Sequence, residues 1–243
     1  MKDNSLIIIP TYNEAENIKA VINKIFSLDD YNSILVVDDN SPDRTSNIVR
    51  NLKKNYEDKL FLITREKKDG LGSAYKEGFK WAIEKNFSYI FEMDADLSHD
   101  PNEIKKLKRM LVNGECDVAI GSRYLEGVSV VNWPLSRIFL SYFANIYVRL
   151  ITCMPVKDST SGFVGYKIEA LSSLDIDKIK FNGYAFQIEM KFKLWKKKFK
   201  LKEHQIIFVN REQGESKMNK NIIFEAIIGV IKLKLNSIFK KNE

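Results

Sequence analysis

Five short apolar runs, each followed by a stretch with helical periodicity, constrain this chain more than anything else in it. Leu6 to Ile9, Ser33 to Val37, Leu60 to Thr64, Tyr89 to Met93 and Asp117 to Gly121 read as strands. Helices fall between them near residues 14–27, 43–55, 73–85 and 101–113. Such alternation predicts an α/β fold, with a mainly parallel central sheet flanked by helices. Pro101 suits a first helical turn directly after Asp100, a good N-cap. No internal repeat or low-complexity linker divides the region, and 243 residues suffice for one large core.

Three of the runs stop at polar, mostly acidic residues. Ile7-Ile8-Ile9 gives way to Pro10-Thr11-Tyr12-Asn13-Glu14, and Ile34 to Val37 to Asp38-Asp39-Asn40-Ser41-Pro42-Asp43-Arg44-Thr45. Tyr89 to Met93 ends in Asp94-Ala95-Asp96. Ligands of open α/β sheets bind outside the carboxyl ends of the strands. If the strand continues through Asp94 and Asp96, they share a face, and Ser98 is the next position on it. Mg²⁺ takes one or two protein carboxylates and completes its shell with phosphate oxygens and water. The pair therefore suits a divalent cation holding a diphosphate, with Ser98 as a further candidate for the metal shell. A merely solvated loop edge is the alternative for an isolated Asp-x-Asp, and the two other polar strand ends favour the cation. Gly70-Leu71-Gly72 lacks the third glycine of a dinucleotide-binding turn, Tyr75 standing in its place.

Net charge of +7 asks for an anionic partner. No nucleic-acid module is recognisable, so an anionic membrane surface is expected and nucleic acid is not. Cys116 and Cys153 give neither a disulfide framework nor zinc spacing, and His99 and His204 are too few for a multi-histidine metal site. With no signal peptide at the N-terminus, a reducing cytosol is expected. Trp133 to Leu150 is an aromatic helical stretch in which Arg137, Ser141 and Asn145 fall at i, i+4 and i+8, on one polar stripe. A core helix with a solvated stripe reads equally well. Asn221 to Lys241 joins apolar residues to Lys232, Lys234, Lys240 and Lys241. It is too interrupted to span a bilayer, and reads as an amphipathic helix lying on a membrane interface or docked on the protein's own core.

PTYNE, DDNSPDRT, GLGSAY, MDADLSHDP, GSRY, DSTSGF and GESK occur in this order from about Ile7 to Lys217, nearly the whole chain. In this the sequence resembles the polyprenyl-phosphate (dolichol-phosphate) mannosyltransferases, inverting glycosyltransferases of the A-type nucleotide-diphospho-sugar fold. The resemblance implies that residues 1–218 form the catalytic domain and 219–243 a C-terminal amphipathic interface helix of the same unit. It implies metal-dependent transfer of mannose from GDP-mannose to polyprenyl or dolichyl phosphate, with Mg²⁺ or Mn²⁺ as cofactor, giving a β-linked product. By the same resemblance Pro10, Tyr12, Glu14, Val37 and Asp39 enclose the nucleoside. Asp94 and Ala95 contact the nucleotide sugar, and Asp96 with Ser98 holds the metal. Arg123, Arg137 and Ser141 face the lipid phosphate, and Arg211 and Lys217 close over the diphosphate. Asp96, Arg123, Arg211 and Lys217 form the expected catalytic set.

No general base is expected, because a phosphate monoester carries roughly −1.5 to −2 charges at neutral pH and is itself a nucleophile. The expected location is peripheral, on the cytoplasmic face of a membrane. Many members carry transmembrane segments that this sequence lacks, which leaves room for a membrane-protein partner. Two departures stand out: Val164 where many relatives have arginine, and Gln205 where a proline often precedes the late strand, read here as Ile206 to Val209. Gln187 and Glu189 keep the family's aromatic-polar pattern as sugar contacts, an ordinary exposed helix face being the alternative. A UDP-glucose type donor, or a saccharide acceptor in cell-surface polysaccharide synthesis, stays open as the second reading.

Overall fold

The computed structural model describes residues 4–28, 32–56, 58–210 and 220–239, without the side chains of 184, 220–226 and 239. Its first part alternates as the apolar runs predict. β1 (Ser5–Thr11), α1 (Ile18–Phe26), β2 (Asn32–Asp38), α2 (Thr45–Lys53) and β3 (Leu60–Thr64) are followed by α3 (Leu71–Glu84), β4 (Tyr89–Glu92), α4 (Glu103–Val112) and β5 (Val118–Ser122). Then come β6 (Val130–Val131), α5 (Leu135–Thr152), β7 (Val164–Lys167) and α6 (Ile168–Ser172). The chain continues with α7 (Tyr184–Lys196), β8 (Leu201–Gln205), β9 (Phe208–Val209) and α8 (Lys220–Phe239).

Seven strands form one sheet in the order β3-β2-β1-β4-β7-β5-β8. All neighbours are parallel except β7, which runs antiparallel to both β4 and β5. Strand residues feed two cores by turns. Leu6, Ile8, Leu35 and Val37 cluster with Phe79 of α3 and Phe186 of α7, whereas Ile7, Ile9, Ile34 and Val36 cluster with Ile22, Val49 and Leu107 of α1, α2 and α4. Burial on both faces is why these strands read as unbroken apolar runs. Each such side chain contributes about 1.5–3 kcal/mol on leaving water.

This order sets the ends of β2, β1 and β4 side by side, Thr11 pairing with Asp38 and Ile8 with Glu92. Inserting β7 beside β4 needs a residue without a side chain. A Cβ on Gly165 would lie 2.6 Å from the Phe91 ring. The segment entering β7 thereby brings residues 158–162 between the ends of β4 and β5.

Two expected elements differ. The late strand of the sheet is β8, Leu201–Gln205, not Ile206 to Val209, of which only Phe208–Val209 pairs, with β6 in a separate ribbon. An edge strand is covered on fewer sides and does not need an apolar run, so the polar segment LKEHQ escapes a search for hydrophobicity. Helix α8 forms, but apolar residues occupy more than one of its faces. Val230 and Leu233 are buried, and Gly229 lies against Phe181. The Tyr147 hydroxyl donates to the Ile227 carbonyl at 2.9 Å, while Ile227, Ile228, Ile231, Leu235 and Ile238 are exposed. Among the described residues no helix is long and apolar enough to cross a membrane.

Candidate active site

At the junction of β1 and β2, Asp38 is fully buried and ties the strand ends together. It accepts hydrogen bonds from the hydroxyls of Thr11 (2.7 Å), Ser41 (2.6 Å) and Ser46 (2.7 Å) and from the Ser41 amide (3.0 Å). Asp43 does the same for the next turn, taking the Thr45 amide and hydroxyl and the Ala15 amide. Burial works against its charge, but these donors hold its carboxyl below the usual carboxylate range. Glu14 receives its place from this scaffold, its amide donating to the Thr45 hydroxyl at 3.1 Å. Pro10 and Tyr12 are half-buried, and Lys68 sits 4.0 Å over the Tyr12 ring. Val37 is wholly buried in the core beneath them.

Asp39 is buried and faces Arg65, whose Nη1 lies 2.7 Å from Asp39 Oδ1. Burial raises the Asp39 pKa, and Arg65 opposes that rise. Arg65 also reaches Glu77 at 3.2 Å and the Ser73 hydroxyl at 2.7 Å. Nothing in its sequence context distinguishes this arginine. It enters because β3 pairs with β2 and delivers its carboxyl end beside Asp39.

Beyond β4 the chain leaves the sheet, so the alternation of a strand does not place Asp94, Asp96 and Ser98. A turn does. Leu97 adopts a left-handed conformation (φ 59°), unfavourable for a branched side chain by roughly 1–2 kcal/mol, and the Ser98 amide donates to Asp96 Oδ1 at 3.1 Å. Ala95 is buried, while Asp94 and Asp96 are part-exposed. Ser98 Oγ and His99 Nδ1 are buried on the same turn without a hydrogen-bond partner. His99 stacks on Phe163 at 4.9 Å, and burial lowers its pKa to about 4, so at neutral pH it is an uncharged packing group. Among the described residues no three His, Cys, Asp or Glu side chains converge on a metal position. Two aspartates with an unsatisfied serine oxygen nonetheless fit a hard cation that draws most of its ligands from phosphate and water.

Under Asp94 lies a buried polar chain. Glu92 and Lys191 are fully buried, and Gln187 bridges them. Its Nε2 donates to Glu92 Oε2, and its Oε1 accepts from Lys191 Nζ at 3.1 Å. The Tyr166 hydroxyl donates to Glu92 Oε1 at 3.2 Å. Desolvation pushes the Glu92 pKa up to about 7, against the pull of Lys191, and the Lys191 pKa down to about 8.

On the β5 side, Arg123 is clamped by Asp158. Its amide (2.9 Å), Nε (2.7 Å) and Nη2 (2.7 Å) all meet that fully buried carboxylate, and Nη2 also reaches the Thr160 hydroxyl at 2.8 Å. Burial would raise the Asp158 pKa; the guanidinium more than offsets it and holds the group charged below its ordinary value. Asn145 joins the same knot, donating to Thr160 Oγ1 at 3.2 Å and accepting from Ser159 at 2.7 Å. Arg137, two turns before Asn145 on α5, stacks 3.9 Å from the Trp133 ring and donates to Asn210 at 3.0 Å. Ser141 lies half-buried between them. The helix thus presents Arg137, Ser141 and Asn145 toward Arg123, while Leu135, Phe139 and Phe143 stand in solvent at 71%, 58% and 59% exposure. A cavity of about 390 Å³ adjoins this cluster, lined among others by Tyr124, Tyr142, Asn145 and Arg149.

Glu189 is not a sugar contact. It is buried and accepts from the Lys180 (2.9 Å) and Phe181 (3.0 Å) amides, anchoring the segment before α7. Gln187 is likewise turned inward. Arg211 and Lys217 lie outside the described residues. Asp158, Lys191 and Arg65 were missed by sequence reasoning. A buried charge gives itself away only through its partner, and Asp158 meets Arg123 across 35 residues, Lys191 the Ser161 carbonyl across 30, and Arg65 meets Asp39 across 26.

Comparison with known proteins bears on this geometry. The model of the family described as glycosyl transferase family 2 matches residues 6–175. A polyprenol monophosphomannose synthase of Mycolicibacterium smegmatis is 39% identical over 226 residues, covering 93% of this chain and 85% of that protein. An undecaprenyl-phosphate mannosyltransferase of Micrococcus luteus is 37% identical over 225 residues, covering 93% and 91%. Among solved structures, glucosyl-3-phosphoglycerate synthase from Mycobacterium tuberculosis in complex with Mn²⁺ and UDP-glucose superposes with a TM-score of 0.68 at 17% identity, covering 97% of this chain and 79% of that one. That likeness is one of fold.

Proposed function

Since this chain belongs to the polyprenyl-phosphate mannosyltransferases of glycosyl transferase family 2, we propose that it transfers mannose from GDP-mannose to a polyprenyl or dolichyl phosphate, with a divalent metal and with inversion. The observation that carries this reading is the meeting of two unlike halves. Asp39, Asp94 and Asp96 lie just beyond the carboxyl ends of β2 and β4, and Arg123 and Arg137 both stand against the Trp133 ring, at 5.5 and 3.9 Å. Relatives at 37–39% identity are named for joining mannose to a polyprenyl phosphate.

In this reading Pro10, Tyr12, Glu14 and Asp39 surround the nucleoside, with Asp39 accepting hydrogen bonds from base or ribose donors, while Val37, expected among them, is a core residue beneath with no exposed surface. Asp94 and Ala95 line the sugar. Asp96 and Ser98 hold Mg²⁺ or Mn²⁺, which when bound neutralises the diphosphate as leaving group. Arg123, Arg137 and Ser141 bind the lipid phosphate and offset its repulsion from the donor. Its oxygen attacks the anomeric carbon from the face opposite the diphosphate, one C–O bond forms, the other breaks, and no proton need move. Alignment and charge stabilisation are what the side chains contribute. Arg211 and Lys217 fit a cationic closure over the departing diphosphate.

The exposed faces of α5 and α8 support peripheral attachment to an anionic membrane, where the acceptor resides. Radiolabelled transfer tests the reading. GDP-mannose, UDP-glucose and UDP-mannose are offered with a short polyprenyl phosphate and Mn²⁺, beside saccharide acceptors. A β-linked mannosyl phosphate by NMR is expected. Transfer only to saccharides, or an α-linked product, would end it.

A further inference from the structure

Among the described residues Lys191 is a cation held wholly out of water, and the transfer proposed above assigns it no part. It does not pack idly. Its ammonium donates to the Ser161 carbonyl at 2.7 Å, to the Gln187 carbonyl at 3.3 Å and to Gln187 Oε1 at 3.1 Å. The Gln187 amide passes the contact on to Glu92, the last residue of β4, two before Asp94.

At its other end the chain of bonds enters the turn before β7. Ser161 fixes that turn a second time, its hydroxyl donating to the Gly121 carbonyl at 2.6 Å. Within the same turn Asp158 and Thr160 hold Arg123. Gly162 passes so close to the donor side that a Cβ there would lie 4.0 Å from both Asp94 Oδ1 and Gln187 Nε2. A single buried cation thus ties the strand that carries the donor aspartates to the turn that sets the arginine of the acceptor side. A hydrophobic residue of similar volume would fill the space, but would leave the Ser161 carbonyl and the Gln187 amide unanchored. Buried opposite charges, here bridged through Gln187, are weak sources of stability, and in some proteins they serve to fix a geometry.

We propose that Lys191, through Gln187 and Glu92, is a positioning residue that sets the acceptor-phosphate site relative to the donor strand. The proposal rests on the function inferred above. Lys191→Met alone leaves Glu92 buried without a counter-charge and will lower the melting temperature, so the informative protein is Glu92→Gln/Lys191→Met, which removes both charges. Three measurements are made on it and on the wild type with Mn²⁺: thermal melting, calorimetric affinity for GDP and UDP, and titration with a short-chain polyprenyl phosphate. The last is followed by tryptophan fluorescence, since Trp133 stands 3.9 Å from Arg137 and 5.5 Å from Arg123.

The expected result is a split. The double variant melts at or above the wild-type temperature and binds its nucleotide within twofold of wild type. It binds the polyprenyl phosphate about tenfold more weakly, the scale on which residues behind a first layer of ligands act. Acceptor affinity within twofold of wild type would overturn the proposal, as would equal weakening of nucleotide and acceptor. A wild-type protein that binds no polyprenyl phosphate would instead refute the proposed function, and this inference with it.

Discussion

In the proposed site the donor half sets most of its carboxylates in turns closed by near neighbours in sequence, Asp39 with Arg65 excepted, whereas the acceptor half depends on charges that meet across the fold. Asp38 accepts from the Ser41 amide, Asp43 from the Thr45 amide and Asp96 from the Ser98 amide. These are side-chain-to-backbone turns that short polar residues form locally. Arg123 and Asp158 are 35 residues apart, and Arg137 and Asn210 are 73. Each half is therefore vulnerable in its own way. Changes at the part-exposed Asp94 and Asp96 act on ligands, with the scaffold intact. In the acceptor half they act on the scaffold first, because each cation is already committed to a protein partner.

Asp96→Ala should break the donor half most severely. Loss of one charge-stabilising group in a preorganised site lowers kcat by on the order of 10²–10³, and the partly exposed position predicts a melting temperature close to wild type. Transfer assayed against Mn²⁺ concentration checks this; turnover unchanged by the substitution would remove Asp96 from the metal site. Asp158→Asn is its counterpart on the other side. Stripping the counter-charge from the buried part of Arg123 should destabilise the protein by roughly 3–5 kcal/mol, seen in urea unfolding. Acceptor affinity should fall alongside. A variant as stable as wild type would mean that the guanidinium finds water or another anion.

The same contrast governs what a reader of the sequence could find. β1, β2 and β4 are visible because strands buried on both faces are apolar throughout and end abruptly, β1 at Pro10-Thr11, β2 at Asp38-Asp39 and β4 just before Asp94. The stripe Arg137, Ser141 and Asn145 was visible because helical spacing is arithmetic. β7 was not, since Val164–Lys167 is short and its place between β4 and β5 depends on Gly165 yielding room to Phe91. Without β7 there is no way to know that Asp158 meets Arg123 or that Lys191 lies under Asp94. Glu189 misled for the opposite reason. Its neighbours in sequence suggest a site, and its side chain turns the other way to cap Lys180 and Phe181.

Where the two halves join, stability depends on pH. The folded-state pKa of Glu92 is raised from 4.5 to about 7. The folded protein therefore binds more protons there than the unfolded chain, and stability falls as pH rises from about 4.5 to about 7. Lys191 is lowered from 10.5 to about 8, so the unfolded chain binds more protons in that interval and stability rises from about pH 8 to 10.5. Between pH 7 and 8 the pair is least favourable. Glu92→Gln/Lys191→Met should therefore exceed the wild type most in that interval, by about 1–4 kcal/mol. Melting curves from pH 5 to 9.5 should show the advantage shrink at both ends; a constant difference would show that neither charge changes across the range.

The smallest effect on the fold should come from the surface that only the acceptor half possesses. Phe139 and Phe143 stack at 6.5 Å with more than half of each exposed, so replacing both by serine leaves no cavity and should shift stability by no more than about 0.5 kcal/mol. Their effect is expected elsewhere. A phenylalanine leaving water contributes about 1.5–3 kcal/mol, so two rings partly inserted into lipid should account for at least roughly tenfold in partitioning onto anionic vesicles. Floatation of wild type and Phe139→Ser/Phe143→Ser with such vesicles measures it, and GDP affinity, set by the other half, should not move. If the variant floats as well as wild type, the exposed face of α5 is not what meets the bilayer, and the isoleucines of α8 are left to hold the protein there.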